Sequence, residues 1–512
     1  MDRKTEFLRE KLRLERVQDS DKKFILIMVD AFGFNSLKKV RDTKYMPFLS
    51  QLLKRYNVTS YNVGVPTTTP YVQASVFYGV NDMIPGFRYF DKNYKKRIVA
   101  GSPLGAFHVE KKLQERGKGI LVNGSSLGNI FAGGAKRTLF TFPGMHAKSR
   151  ITNVRDVLSV LAVNPFSFFR VGYYAVNEFF VEVYENVYDL LKKKKGEFVN
   201  FSFFYPFFPF FRLGINSFTR EVLTEAAILE MKRKVPRIAV NFHGYDWVSH
   251  YRGPKSKSAK LVLKEIDKKL KWLYKTAKKE GYDFYIYSDH DIVPSVPFDK
   301  LYNQSLSEFI TNVKEHRRSI RDKDWDYIAY KLKYMHENLS IPLKAVNSFL
   351  LQLFKVKKKH KVKKVSVHNS SSLAHVYFNE HEGRLNLEDV EKHYPGLIDK
   401  LVNHDGVGVV LGKDEKGFQV LSKHKKVLDK YGGEKMLLKS IRKFVDMEHF
   451  GDLCVVGDIK GDKMVSFEDF HLGSHDSFGL EQEKGIFISK EKHDLTNSED
   501  ASVLYSILKK YI

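Results

Sequence analysis

Carboxylates and imidazoles recur at the ends of apolar segments and in tight turns along this 512-residue chain. They comprise three Asp and three His: Asp30, Asp246, His250, Asp289, His290 and His475. They can converge only if the fold brings strand ends together, as a mostly parallel α/β sheet does beyond the carboxyl ends of its strands. Mixed carboxylate and imidazole donors suit two hard-to-borderline divalent cations, so the sequence predicts a two-metal site.

Thr69 is the candidate nucleophile. A proline follows it directly, and because proline suits the first position of a helix, Thr69 is predicted to be the N-cap. A helix N-terminus favours negative charge, which would stabilise both an alkoxide and a bound phosphate. A nearby cation would lower the pKa of the hydroxyl further. A plain threonine cap is the alternative interpretation of this segment.

Strands and helices alternate along most of the chain, and they would position these residues. Strands are predicted at residues 22–30, 57–65, 119–122, 236–243, 282–288, 365–378, 405–412 and 452–459. Helical patterns cover residues 36–56, 256–280, 387–403 and 435–447. This alternation predicts an α/β fold with a central, mostly parallel sheet flanked by helices.

The metal-type residues run from position 30 to position 475, which favours a single catalytic domain over residues 1–512. Its core is predicted over residues 20–145, 235–292 and 365–490. Two helical stretches interrupt it as insertions: an aromatic and basic one at 146–235 and a basic one at 296–364.

Charge and cysteine content narrow the class of protein. The chain has 86 Lys and Arg against 60 Asp and Glu, and this net charge of +26 favours polyanionic partners, with a solvated lysine-rich surface as the alternative. The single cysteine, Cys454, excludes an internal disulfide and a Cys-based zinc site and fits a reducing compartment. No apolar leader and no run of about 18 apolar residues is visible, so a cytoplasmic protein without a spanning helix is expected.

Taken in order, the chemistry-bearing segments resemble the alkaline phosphatase superfamily, and within it the type I phosphodiesterase/nucleotide pyrophosphatase branch. The similar segments are Val29–Gly33, Pro66–Thr69 with Gly79, Asp246–Ser256, Ser288–His290 and Gly473–His475. The resemblance implies an alkaline phosphatase-like core.

The resemblance also implies a role for each candidate residue. One cation would be held by Asp246, His250 and His475. The other would be held by Asp30, Asp289 and His290, with Thr69 lying between the two cations as a metal-bound nucleophile. Zinc fits such a His-containing set, and manganese is the alternative.

Four positions depart from the family's pattern. Ser249, Asp291 and Asp476 stand where the family has Gly, and Val72, followed by Gln73, stands where it has Asn. The change at Val72 leaves the non-metal contact to the transition state unassigned.

The resemblance implies a two-metal-dependent hydrolase of phosphate esters, diesters or monoesters, that works through a phospho-threonine. Two other classes remain open. A phosphotransferase would pass the same phosphoryl group to an alcohol, and a non-catalytic relative would bind membrane or nucleic acid. The sequence does not indicate an oligomeric state.

The Phe-rich segment 198–211, beside Lys192–Lys195, predicts that the insertion at 146–235 contacts an anionic membrane surface or a lipid-like substrate. The protein would then be peripheral on the inner face of a membrane, with nucleic acid the less favoured partner. Packing of the rings onto the core, or in a dimer interface, is the alternative.

Overall fold

The computed structural model describes residues 22–147, 164, 166–192, 213–312, 364–424 and 426–512. The strands are β1 (Phe24–Val29), β2 (Asn57–Asn62), β3 (Arg88–Asp91), β4 (Lys96–Val99), β5 (Ser125–Leu127), β6 (Arg137–Leu139), β7 (Arg237–Phe242), β8 (Asp283–Tyr287), β9 (Val293–Pro297), β10 (Val365–Ser370), β11 (Leu373–Phe378), β12 (Val407–Asp414), β13 (Gly417–Leu421), β14 (Leu453–Gly457), β15 (Ile459–Lys460), β16 (Lys463–Ser466), β17 (Gly473–Ser474) and β18 (Lys484–Ser489).

The α-helices are α1 (Phe34–Val40), α2 (Pro47–Leu52), α3 (Thr69–Tyr78), α4 (Pro103–Arg116), α5 (Phe142–Ala147), α6 (Phe166–Lys192), α7 (Thr219–Lys232), α8 (Gly244–Arg252), α9 (Lys257–Glu280), α10 (Phe298–Tyr302), α11 (Leu306–Thr311), α12 (Leu387–His393), α13 (Leu397–Val402), α14 (Val427–Lys430), α15 (Glu434–Val445) and α16 (Ser502–Leu508). A π-helical turn at Leu213–Phe218 precedes α7, and a 3₁₀ turn at Lys509–Tyr511 follows α16.

A seven-stranded sheet organises the fold, in the order β2-β18-β8-β1-β7-β5-β6. β8, β1, β7, β5 and β6 run parallel, and β18 runs antiparallel to both β2 and β8. β1 is apolar throughout and fully buried, as expected for a strand covered on both faces. The predicted α/β fold with a mostly parallel central sheet is therefore confirmed.

Helices cover both faces of this sheet. Alternate residues of β1 point to opposite sides: Ile25 and Ile27 pack with α9 and α7, and Leu26 and Met28 pack with α3 and α4. α7 contributes Val222 and other buried side chains to this packing. α7 therefore packs with the core although it lies within the range predicted for the insertion, and the predicted domain bounds stay a prediction.

Strands β10 to β14 form a separate antiparallel sheet, in the order β10-β11-β14-β12-β13. Both of its faces carry apolar clusters, so β11 and β14 are buried along their whole length. A smaller sheet, β15-β16-β9-β17, holds the turn that precedes His475.

Two local predictions differ from the structure. Residues 120–122 lie in turns, and a strand forms instead a few residues later, at β5. The predicted helix at 36–56 is two helices, α1 and α2, and Pro47 begins the second because proline suits the first turn of a helix but not its interior.

The Phe-rich segment 198–211 and residues 313–363 of the second predicted insertion lie outside the described residues.

Asp291 ties the end of β8 to the first turn of α1. Its Oδ2 accepts hydrogen bonds from the backbone N–H groups of Asn35 and Ser36, at 2.9 and 3.0 Å. Its Oδ1 accepts from the Ser36 hydroxyl at 2.5 Å and from Ile292 N at 2.9 Å. The loop after β1 lies so close to Asp291 that a Cβ on Gly33 would be 2.5 Å from the Asp291 Cβ. This carboxylate therefore fixes the loop after β1 against the loop after β8.

We expect Asp291→Ala to lower the free energy of unfolding by about 2–4 kcal/mol, because it leaves several buried donors unsatisfied. Urea denaturation followed by circular dichroism measures this loss. Glu382→Ala, at an exposed loop position, is the matched control. Equal midpoints for the two variants would contradict the role assigned to Asp291.

Candidate active site

Asp30, Asp289 and His290 form the first of two clusters at the carboxyl edge of the central sheet. β1 and β8 are parallel neighbours with Met28 opposite Tyr287, so the residues that follow them emerge side by side. His290 Nε2 lies 3.2 Å from Asp289 Oδ2 and 3.9 Å from Asp30 Oδ1. All three side chains are buried.

Asp246, His250 and His475 form the second cluster. Asp246 and His250 lie one turn apart on α8, which places them on one face of the helix. His250 Nε2 is 3.3 Å from Asp246 Oδ1 and 2.9 Å from His475 Nε2. His475 directly follows β17, and its Nε2 lies 3.5 Å from Asp246 Oδ1.

The two clusters touch. The rings of His290 and His475 stack with their centroids 3.9 Å apart. Thr69 Oγ1 lies 3.4 Å from His290 Nε2. The structure thus brings all seven predicted residues together, while their roles as ligands and nucleophile remain predictions.

Each of the three histidines presents its Nε2 atom to the clusters. Nδ1–H donates to a backbone carbonyl in every case: His250 to Gly473 at 2.9 Å, His475 to Thr67 at 3.1 Å and His290 to Asp291 at 3.2 Å. A histidine whose Nδ1 carries the proton keeps a lone pair on Nε2, as a metal-ligating imidazole requires.

The carboxylates are also arranged as ligands. Asp289 Oδ1 accepts from the backbone N–H groups of Ala31 and His290, at 3.0 and 3.1 Å. Asp30 Oδ2 is held at 3.1 Å by the Asn241 amide. Among the described residues no hydrogen-bond partner reaches the other oxygens, Asp30 Oδ1 and Asp289 Oδ2, or Asp246 Oδ1. Buried oxygens without donors fit a site for cations.

The electrostatics of this arrangement act in opposite directions on two of the carboxylates. Burial and the negative charge of Asp289 raise the pKa of Asp30 to about 6. Burial acts on Asp246 in the same direction, but contact with His250 and His475 outweighs it and holds the pKa of Asp246 well below its usual range. Two divalent cations would remove the repulsion among the carboxylates.

Sequence reasoning missed His243, which directly follows β7. Its Nδ1 lies 3.1 Å from Asp30 Oδ2, and its Nε2 faces the carbonyl oxygen of Gly128. It thereby orients the Asp30 carboxylate from the side away from His290. The strand-end pattern that identified Asp30 and Asp289 would also have found it.

Asp476 is a second unforeseen neighbour of the clusters. Its Oδ1 lies 2.9 Å from His475 Nδ1, so this carboxylate competes with the Thr67 carbonyl for the ring proton. Its backbone has a φ of 73°, in the left-handed region that favours glycine. That conformation explains why the related motif has Gly here.

The structure corrects one prediction for the α3 segment, its N-cap, and it shows what Gln73 contacts. The helix begins at Thr69 with Thr68 as its N-cap, one residue earlier than predicted, a shift within the usual uncertainty of helix ends. Gln73 is buried, and its Oε1 accepts from Ile130 N at 2.8 Å. Gln73 therefore fixes the loop after β5, which leaves the non-metal contact to the transition state unassigned.

Comparison with protein families gives one match: a model described as "Type I phosphodiesterase / nucleotide pyrophosphatase" covers residues 24–427. A search of curated proteins gave no match.

Several solved structures are similar. Murine ectonucleotide pyrophosphatase/phosphodiesterase 5 is 13% identical, with 96% of this chain and 94% of that chain covered and a TM-score of 0.48. Phosphonoacetate hydrolase from Sinorhizobium meliloti 1021, in complex with phosphonoformate, is 13% identical, with 97% and 96% covered and a TM-score of 0.47. The human ectonucleotide pyrophosphatase/phosphodiesterase 5 is 14% identical, with 96% and 94% covered and a TM-score of 0.47.

We expect two divalent ions per chain, one at each cluster, so Asp246→Asn and Asp289→Asn should each lose about half of the bound metal. Elemental analysis of protein loaded with zinc or manganese and then desalted measures this. Asp82→Asn, at an exposed position, is the control. A wild-type chain that retains no metal would contradict the two-site interpretation.

Metal binding should also depend on pH. The pKa of Asp30 in the folded, metal-free chain, about 6, lies above its ordinary value. Asp30 by itself therefore contributes less to the stability of the folded chain as pH rises from about 4 through about 6, where the folded carboxylate must ionise. A bound cation needs that ionised form, so the rise in melting temperature caused by zinc or manganese should be full above pH 7 and shrink below pH 6. A rise that is constant from pH 5 to 8 would exclude this linkage.

Proposed function

The chain belongs to the type I phosphodiesterase/nucleotide pyrophosphatase family and is a phosphoric ester hydrolase. From this premise we propose that it depends on two cations and acts through a phospho-threonine on Thr69. The observation that carries the proposal is the position of the Thr69 hydroxyl, 3.4 Å from His290 Nε2 where the two clusters meet. It is a buried alcohol at the N-terminus of α3, next to six metal-type donors.

The donor set supports two cations. Asp246, His250 and His475 would hold one, and Asp30, Asp289 and His290 the other. Zinc suits a set in which imidazoles accompany carboxylates, and manganese is the alternative. When bound, such ions supply positive charge for the phosphoryl oxygens and lower the pKa of nearby hydroxyl groups.

The chain's own residues account for the remaining steps. Thr69 Oγ1 forms a bond to phosphorus as the bond to the ester's leaving group breaks, and the hydroxyl proton passes to solvent. The N-terminus of α3 directs backbone N–H groups and the positive end of its dipole toward this oxygen and the transferred group. Water then hydrolyses the phospho-threonine, which restores Thr69 and releases the phosphoryl product.

The histidines and the residues behind them keep this arrangement rigid. The carbonyl oxygens of Gly473, Thr67 and Asp291 fix the three imidazoles through Nδ1. Asn241 and His243 hold Asp30 from the side away from His290. Groups held this way need little reorganisation when charge develops on the substrate.

We expect Thr69→Ala to lower kcat by at least about 1000-fold, because the attacking oxygen is removed. Metal content and melting temperature should stay close to wild type, because the six donors remain. Activity is measured with bis(p-nitrophenyl) phosphate as a diester and p-nitrophenyl phosphate as a monoester, which also identifies the ester class. Thr59→Ala, a hydroxyl bonded to the carbonyl of His493, is the matched control.

Acid-quenched enzyme should carry one phosphoryl group on the peptide that contains Thr69, detected by mass spectrometry during turnover. Addition of an alcohol should distinguish hydrolysis from transfer: a hydrolase releases inorganic phosphate or a monoester, and a transferase yields a new ester. Full activity of Thr69→Ala would exclude Thr69 as the nucleophile.

A further inference from the structure

Helix α6 exposes a continuous row of large apolar side chains. Phe166, Phe169, Tyr173, Val176, Phe180 and Leu191 are each between 57% and 80% exposed. Their spacing of three or four residues, and of 11 residues between Phe180 and Leu191 (about three turns), places them on one face of the helix. The row spans about 38 Å at 1.5 Å per residue, so it is an extended surface and not a scatter of single exposed residues.

The other side of α6 carries charged residues, and this side packs against the rest of the chain. Arg170 pairs with Glu221 at 3.1 Å and with Glu225. Glu182, fully buried, pairs with Arg252 of α8. Glu185 accepts from the Ser258 hydroxyl at the start of α9 at 2.7 Å. These polar contacts fix which side of the helix faces outward.

This orientation is the reverse of an ordinary surface helix, which buries its apolar side and exposes its charges. Because the ion pairs hold the charged face inward, the apolar row cannot rotate into the core. A row of this length needs a non-aqueous surface beyond the described part of the chain.

A row of lysines lies beside the apolar row and identifies that surface. Lys264, Lys268, Lys271 and Lys275 are exposed along one side of α9, at a spacing of three or four residues. α9 runs alongside α6 in the opposite direction, since Arg170 stacks on Trp272 and Lys268 Nζ lies 6.0 Å from the ring of Tyr174. Aromatic side chains flanked by lysines match the boundary between acyl chains and anionic headgroups.

We propose that the outer face of α6, together with the lysine row of α9, is the surface by which this protein lies on an anionic lipid bilayer, with α6 in the plane of the interface. The helix rests on the bilayer and does not cross it in this arrangement, because its charged face is paired with the protein. None of the described helices combines the length and apolarity needed to cross a membrane.

The contact reaches the candidate active site through an arginine of α8. Arg252, which pairs with Glu182 of α6, lies on the same helix as Asp246 and His250. Adsorption on a bilayer would therefore hold the metal clusters at a fixed distance from the lipid surface. The proposal is independent of the hydrolytic mechanism, because binding to vesicles is measured without turnover.

Co-sedimentation with vesicles of phosphatidylcholine alone, or with added phosphatidylglycerol, tests the proposal. We expect the full chain to bind the anionic vesicles. A variant with Phe169→Gln, Tyr173→Gln and Phe180→Gln should bind them at least about tenfold more weakly, because much of the apolar contact is lost. Tyr94→Gln, an aromatic residue 71% exposed on the β3–β4 turn, is the matched control and should bind like wild type.

A second variant separates charge from apolar contact. Lys264→Gln, Lys271→Gln and Lys275→Gln together should weaken binding to anionic vesicles about tenfold or more at low salt, because each lysine near an anionic surface contributes to attraction. These substitutions are at exposed positions, so an unchanged melting temperature and unchanged hydrolysis of a soluble ester establish folding.

Site-specific labelling gives a third readout. The only native thiol, Cys454, is buried, so Tyr173→Cys can be labelled selectively with an environment-sensitive fluorophore. Its emission should shift to the blue on anionic vesicles, and the same label at Tyr94→Cys should not shift. Lack of wild-type binding, or equal binding by the triple aromatic variant, would overturn the proposal. So would a dimer that this variant dissociates without any vesicle binding, which would assign the face to a second copy of the chain.

Discussion

Repulsion among three carboxylates that share one buried site is the constraint on which the candidate active site depends. Asp30, Asp246 and Asp289 stand at the carboxyl edge of the central sheet, where burial alone opposes their ionisation. The protein holds Asp289 with backbone N–H groups and Asp30 with Asn241, and among the described residues one oxygen of each of the three carboxylates has no hydrogen-bond partner. The sheet, the loops after β1 and β8 and the imidazoles hold these groups close enough for two cations, as proposed, to relieve that repulsion.

The sequence predicts much of this centre because the strands that carry it are unambiguous. β1, β7 and β8 are short apolar runs, and polar residues follow each of them directly. Because such strands pack in parallel, the residues that follow them lie at one edge of the sheet. The ordered motifs shared with a known family then indicate which of these residues form the site. Asp30 and Asp289 could therefore be found without coordinates.

Other features depend on tertiary contacts that a single sequence does not encode locally. An apolar run predicts a buried strand but not its direction or its partner, so the antiparallel sheet of β10 to β14 could not be separated from the central sheet. His243 and Gln73 are polar residues whose roles are defined by distant partners, Asp30 in one case and the loop after β5 in the other. For α6, apolar periodicity indicates one face of a helix, and only the ion pairs of Arg170 and Glu182 show that this face points outward.

The order of the ligands along the chain has a consequence for how the protein matures in a cell. The stacked rings of His290 and His475 come from residues far apart in sequence, and the last of them lies near the C-terminal end of this sequence. During synthesis, Asp30 emerges long before either imidazole, and an isolated carboxylate has no means to retain a transition metal. Under the proposed two-cation site, cation uptake would therefore follow translation of nearly all of these residues, and the metal supply of the compartment in which folding finishes would influence which ion is bound.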